Sequence, residues 1–101
     1  MSKICRFTVP ASRDIENIID YVADNSSFDT AERLLKKINQ KSRNLANFPN
    51  MGSKRDQLLT SLRSFPVDDY LIFYRQIEQE IEILRVVNGY RDLDVLFEEK
   101  S

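Results

Sequence analysis

Arginines punctuate residues 62–97 at Arg63, Arg75, Arg85 and Arg91. A packed sheet does not need a guanidinium at the end of every element, whereas a surface built to grip an anion does. The planar, permanently charged fork matches carboxylate or phosphate geometry. The sharpest cluster is Asn88-Gly89-Tyr90-Arg91-Asp92. Gly89 permits a tight exit from a strand, and Asp92 can orient the Arg91 guanidinium. The competing reading is structural: Arg85 pairs with Glu82 or Asp92, Arg91 with Asp92, and Arg63 caps an edge.

The composition narrows the available chemistry. Histidine is absent, so no Ser-His-Asp or Cys-His nucleophile can be assembled. Any acid–base work must come from Glu, Asp, Lys, Tyr or Arg with shifted pKa values. One cysteine and no histidine make a zinc site improbable, and there is no Walker or dinucleotide glycine loop. No cofactor is expected. Cys5 has no internal disulfide partner and reads as a small buried residue in a reducing compartment. The N-terminal residues show no secretory pattern and no run spans a bilayer, so a cytoplasmic protein without membrane contact is expected.

A chain of 101 residues with 42% hydrophobic and 31% charged residues is expected to form one globular domain. Its net charge of −1 averages unlike segments. Between residues 33 and 63, Arg33, Lys36, Lys37, Lys41, Arg43, Lys54, Arg55 and Arg63 stand against Asp56 alone. Such a basic middle either binds a phosphate backbone locally or is a solvated helix face.

The elements that must position these residues follow from periodicity. Residues 3–9 alternate and predict a first strand, ended by Pro10. Ser12 is the expected cap of a helix carrying Ile15, Ile18, Ile19 and Val22 on one stripe, with Asp14 and Glu16 in its first turn. Asp29 and Glu32 suggest a capping box for a second helix, with Ala31, Leu34, Leu35, Ile38 and Leu45 inward. The short link between the helices predicts an antiparallel hairpin. Residues 50–57 read as a polar loop. Residues 60–66, 70–76 and 81–87 read as strands, the first ended by Pro66. The link 77–80 lacks the Asn-Gly signal of a tight turn. Residues 92–99 suggest a short helix or tail, with Leu93, Leu96 and Phe97 folding back. The fold class is therefore α+β: a helical hairpin on one face of a small antiparallel sheet, in the order β-αα-βββ(α), with the first strand's position open. Strict alternation groups Ile81, Ile83, Arg85 and Val87 on one face. If Arg85 leaves the helix-covered face, it enters a concave open surface shared with neighbouring arginines. Tyr70, Phe73 and Tyr74 fit either core or contact.

In order along the chain, LRSFPV (62–67), YLIFYR (70–75), IEILRVV (81–87) and NGYRDLDVLF (88–97) resemble the C-terminal half of the ParE/RelE superfamily of bacterial toxins, and more closely its ParE branch. The helical half matches in layout. The resemblance implies a twisted sheet with both helices on one side, and an antitoxin partner (ParD-like) whose amphipathic segment fills a groove beside them. The ParE branch implies poisoning of DNA gyrase by binding. The RelE branch implies ribosome-dependent mRNA cleavage, but its third-strand arginine falls on Leu71 and its C-terminal tyrosine on Phe97. The lysines beside Arg63 are replaced by Thr60 and Ser61, while Arg91 matches the late arginine. Asn88 stands where the ParE branch often has histidine. A third reading is an inactive homologue that still binds an antitoxin. The expected target-binding residues are Arg63, Arg75, Arg85, Asn88, Tyr90 and Arg91, acting by docking rather than catalysis.

Overall fold

The computed structural model describes residues 4–89. Expectations placed on Tyr90, Arg91, Asp92, Leu93, Leu96 and Phe97 lie outside the described residues. The elements are β1 (Ile4–Phe7), α1 (Val9–Asn25), α2 (Phe28–Asn47), β2 (Ser53–Lys54), β3 (Arg63–Val67), β4 (Tyr70–Ile77) and β5 (Glu80–Asn88). They form a five-stranded sheet ordered β1-β5-β4-β3-β2. Strands β2 to β5 pair antiparallel, and β1 joins the edge parallel to β5. The helical hairpin packs on one face, so the expected α+β class holds.

Both helices begin earlier than their polar signals suggested. Thr8, not Ser12, caps α1: its hydroxyl accepts from Ala11 N at 3.1 Å. Pro10 thus belongs to the first helical turn rather than to a strand end, where its missing N–H costs nothing. Asp14 consequently lies beyond that turn and is free for another task. Ser27, not Asp29, caps α2 by accepting from Thr30 N at 3.0 Å, while Asp29 sits in the first turn. The apolar stripes are as expected. Leu34, Ile38 and Leu45 are buried against Ile72, Tyr74, Ile81, Ile83 and Val86, with Ile15, Ile18, Ile19 and Val22 beside them.

The sheet's other face is not open. Residues 55–62 fold as turns, so residues 60–62 are not the start of the strand expected over 60–66. They lay Leu58, Leu59 and Leu62 over Phe73, Val87, Leu71 and Leu84, making a second small core. Strand β3 starts only at Arg63 and runs through Pro66 to Val67. Pro66 is tolerated because β2 covers only Arg63 and Ser64, leaving the outer edge at Pro66 without a ladder partner. Both hairpin links are two-residue turns, with left-handed φ at Asp68 (53°) and Glu78 (57°).

A bulge overturns the expected alternation in β5. Phe73 pairs with Arg85 and Tyr74 with Ile83, so Leu84 is extra. Beyond it, Val86 joins Ile81 and Ile83 in the helix-side core, while Leu84 and Val87 belong to the second cluster.

Strand β1 accompanies β5 only as far as Ile83. The next stretch of β5 edge is satisfied by the start of α1. Thr8 N donates to Ile83 O at 3.0 Å and the Thr8 hydroxyl to Leu84 O at 2.9 Å. Asp14 accepts Val86 N at 3.0 Å. The same carboxylate accepts both Arg85 Nε at 2.7 Å and Nη2 at 2.9 Å. Asp14→Ala would strand an amide and a mostly buried guanidinium together. The expected loss is about 2–3 kcal/mol, below that of a fully buried pair because solvent partly screens this one. Urea unfolding checks it. Burial of Cys5 pushes its thiol up to about 11. Alkylation near pH 8 should therefore run roughly 100-fold slower than for an unperturbed thiol.

Candidate docking surface

Arg63 sits in the middle of a cross-strand row, facing Lys54 on β2 and Tyr74 on β4. Its Nη1 donates to Gly52 O at 2.8 Å and, more loosely, to Asn50 O at 3.4 Å. The Tyr74 hydroxyl donates to Pro49 O and accepts from Gly52 N, both at 2.8 Å. Arg63 and Tyr74 thus clamp the loop after α2. Gly52 is required there by proximity rather than by φ: a Cβ would lie 2.5 Å from the Tyr74 hydroxyl and 2.7 Å from Ser64 O. Burial raises the Tyr74 phenol above its ordinary pKa, against the opposing pull of the Gly52 amide and Arg63. Beside the clamp lies a hollow of about 350 Å³, lined in part by Asn50, Lys54, Asp56, Ser61, Arg63 and Gln76.

The other arginines go elsewhere. Arg75 pairs with its cross-strand neighbour Glu82 at 3.1 Å. Arg85 is held by Asp14, neither by Glu82 nor in an open concave surface, and that hydrogen bond raises its pKa. Asn88 is exposed and faces Tyr70 across the ladder. It lines a groove of about 330 Å³ between α1 and the ends of β4 and β5, with Asp14, Ile18, Tyr21 and Tyr70 among the walls. The two β4 partners, Tyr70 for Asn88 and Tyr74 for Arg63, lie about 13 Å apart along the strand. Arg63 therefore lines a polar hollow and Asn88 a separate mixed groove, while Arg75 and Arg85 line neither, so these four do not converge on one anion. Tyr90 and Arg91 lie outside the described residues.

The family described as ParE toxin of type II toxin-antitoxin system, parDE, matches residues 5–93. The chain belongs to the ParE toxin family. It is 30% identical over 93 residues to Toxin ParE3 of Caulobacter vibrioides, covering 92% of each chain. Its fold is similar to that of a chain from the chromosomal ParDE TA system of P. aeruginosa, with a TM-score of 0.74 and 20% identity. That match covers 85% of this chain and 95% of the other. Membership in a toxin–antitoxin family implies an antitoxin partner. Among the described residues, no helix is long and apolar enough to cross a membrane.

For this ParE-family chain, the sequence reading held Lys54 only within the basic middle and gave no site role to Asp14, Gly52 or Gln76. Asp14 read as a dipole-stabilising acid, and only its distance from the true cap shows otherwise. Lys54 and Gly52 lay in a segment read as plain loop. The tyrosine ambiguity resolves at Tyr74, which is fully buried and serves the loop clamp. Tyr74→Phe leaves the Gly52 amide and Pro49 carbonyl unpaired, so a loss of about 2 kcal/mol is expected in thermal unfolding. A phenol whose pKa is higher when folded adds stability below its unfolded value and loses it as pH rises through the folded one. The gap between wild type and Tyr74→Phe should therefore narrow at strongly alkaline pH.

Proposed function

We propose that this protein is the toxin of a toxin–antitoxin pair, that it poisons DNA gyrase by docking, and that a ParD-like antitoxin neutralises it. The supporting observation for docking over catalysis is Leu71. It packs with the second apolar cluster under Leu58, Leu59 and Leu62, at the position where RNA cleavage of the RelE kind has a third-strand arginine. Among the described residues, the tyrosines with resolved shifts, Tyr70 and Tyr74, are both displaced upward by burial, away from the range useful for proton transfer at neutrality. Arg75 and Arg85 are committed to carboxylates. A rigid, shaped surface remains, and binding requires nothing more.

The groove beside α1 suits the antitoxin. It lies at the junction of helical hairpin and sheet, with Ile18 and the tyrosine rings as apolar wall and Asp14, Asn17 and Asn88 as polar rim. Tyr21 is 63% exposed there. An amphipathic antitoxin segment seated in it would cover Asn88, an expected target contact, so neutralisation by occlusion follows.

Purified protein added to gyrase and relaxed plasmid should block supercoiling or trap cleaved DNA. Transcript cleavage in a translating extract with gyrase unaffected would overturn this reading in favour of the ribosome. Inactivity in both assays would favour the inactive antitoxin-binding homologue. Tyr21→Ala should weaken antitoxin binding about tenfold, as loss of an aromatic wall does, while leaving the effect on gyrase intact.

A further inference from the structure

The cross-strand pairing at the β2–β3 edge places like charges side by side. Lys54 stands directly opposite Arg63 in a two-residue strand. Like charges in that relation oppose sheet pairing. Among the described residues, neither has a carboxylate partner. Asp56 is nearby, but one of its oxygens accepts the Ser61 amide at 3.0 Å. That bond holds Ser61 at φ 67°, a left-handed conformation rarely adopted by non-glycine residues. Arg63 is aimed by its bonds to Gly52 O and Asn50 O, which occupy only Nη1. The two cations line one hollow with the amides of Asn50 and Gln76 and the Ser61 hydroxyl. Asp56 also lines the hollow, with one oxygen engaged by the Ser61 amide, so two cations outweigh one carboxylate beside three neutral polar groups around about 350 Å³, a balance that fits the single charge of a phosphodiester.

The surroundings indicate that the phosphate belongs to a polymer. On α2, Arg33, Lys36, Gln40, Arg43 and Asn47 follow at alternating three- and four-residue steps, all exposed. None of them bears an acid, and the stripe runs about 21 Å. Among the described residues, the three cations have no ion-pair partner. After Asn47 the chain passes through Pro49 and Asn50, which form a wall of the hollow. The acidic counterpart is on α1, where exposed Glu16, Asp20 and Asp24 recur every fourth residue. Among the described residues the helical hairpin thereby carries an acidic ridge on α1 and a basic ridge on α2, which favours one face of α2 for a polyanion.

We propose that the hollow at Lys54 and Arg63 binds a phosphate of a nucleic-acid backbone, with the basic stripe of α2 contacting neighbouring phosphates. This goes beyond the gyrase reading, because DNA contact is then a property of the toxin alone.

The Lys54 side chain makes no hydrogen bond within the described residues, so Lys54→Gln tests the site without dismantling the loop clamp. Thermal midpoints are measured in inorganic phosphate and in chloride of equal ionic strength. Anisotropy of a labelled DNA duplex is measured across a salt series. Phosphate should stabilise the wild type. Lys54→Gln should raise the midpoint in chloride by about 2 °C, through relief of like-charge repulsion, and lose the phosphate response. Its duplex affinity should fall about fivefold near 50 mM salt, with the salt slope reduced by about 1. The triple variant Arg33→Gln, Lys36→Gln, Arg43→Gln should bind duplex more weakly yet keep the phosphate response. Equal phosphate effects on wild type and Lys54→Gln, or a lowered chloride midpoint, would overturn the site. A phosphate response with duplex binding unchanged in both variants would overturn the nucleic-acid assignment and leave a site for free phosphate. These measurements contain no gyrase, so intact supercoiling beside the expected binding would sink the gyrase reading alone.

Discussion

The short length of β1 is the constraint from which the rest of the molecule follows. A four-residue strand cannot cover the edge of a nine-residue one, and β5 would expose backbone donors and acceptors beyond Ile83. The start of α1 closes that edge through Thr8 and Asp14. One carboxylate accepts an amide and the Nε and Nη2 donors of a guanidinium, which fixes helix, strand and Arg85 relative to one another. The bulge at Leu84 lies at the same place and redirects the remaining side chains of β5. The groove that ends at Asn88 therefore has a rigid floor, as a docking surface requires.

The opposite side of the sheet is fixed by different means. The Tyr74 hydroxyl and the Arg63 guanidinium hold the loop after α2, and Leu58, Leu59 and Leu62 close the outer face. What faces solvent is a polar hollow, a mixed groove and a helical hairpin with one acidic and one basic ridge. Of the arginines that looked like one anion grip, Arg75 and Arg85 pair with carboxylates within the chain, and Arg63 holds the carbonyl of Gly52.

Much of the fold was legible because the helices and the β4–β5 hairpin carry strong periodicity. Ile15, Ile18 and Val22, or Leu34 and Ile38, have no other way to be buried together. Boundaries were less legible because caps compete: Thr8, Ser12, Ser27 and Asp29 are all competent, and tertiary hydrogen bonds chose Thr8. The late start of β3 at Arg63 was not legible, because Leu58, Leu59 and Leu62 are apolar without a strand's alternation and pack from turns instead. The bulge was invisible for a related reason, since one extra residue reverses every face assigned after it. Of the site, Arg63 and Asn88 were readable from type and placement. The ion-pair partner Asp14 was not, because it lies 71 residues from Arg85 in sequence.

Stoichiometry tests the central claim, that this protein acts by occupying its target. Gyrase is titrated with the toxin, residual supercoiling is followed over time, and antitoxin is then added in excess. Inhibition should saturate near a fixed toxin-to-gyrase ratio, should not deepen with incubation, and should reverse when antitoxin is added. Loss of function that progresses at far substoichiometric toxin, and persists after antitoxin capture, would show turnover and contradict it.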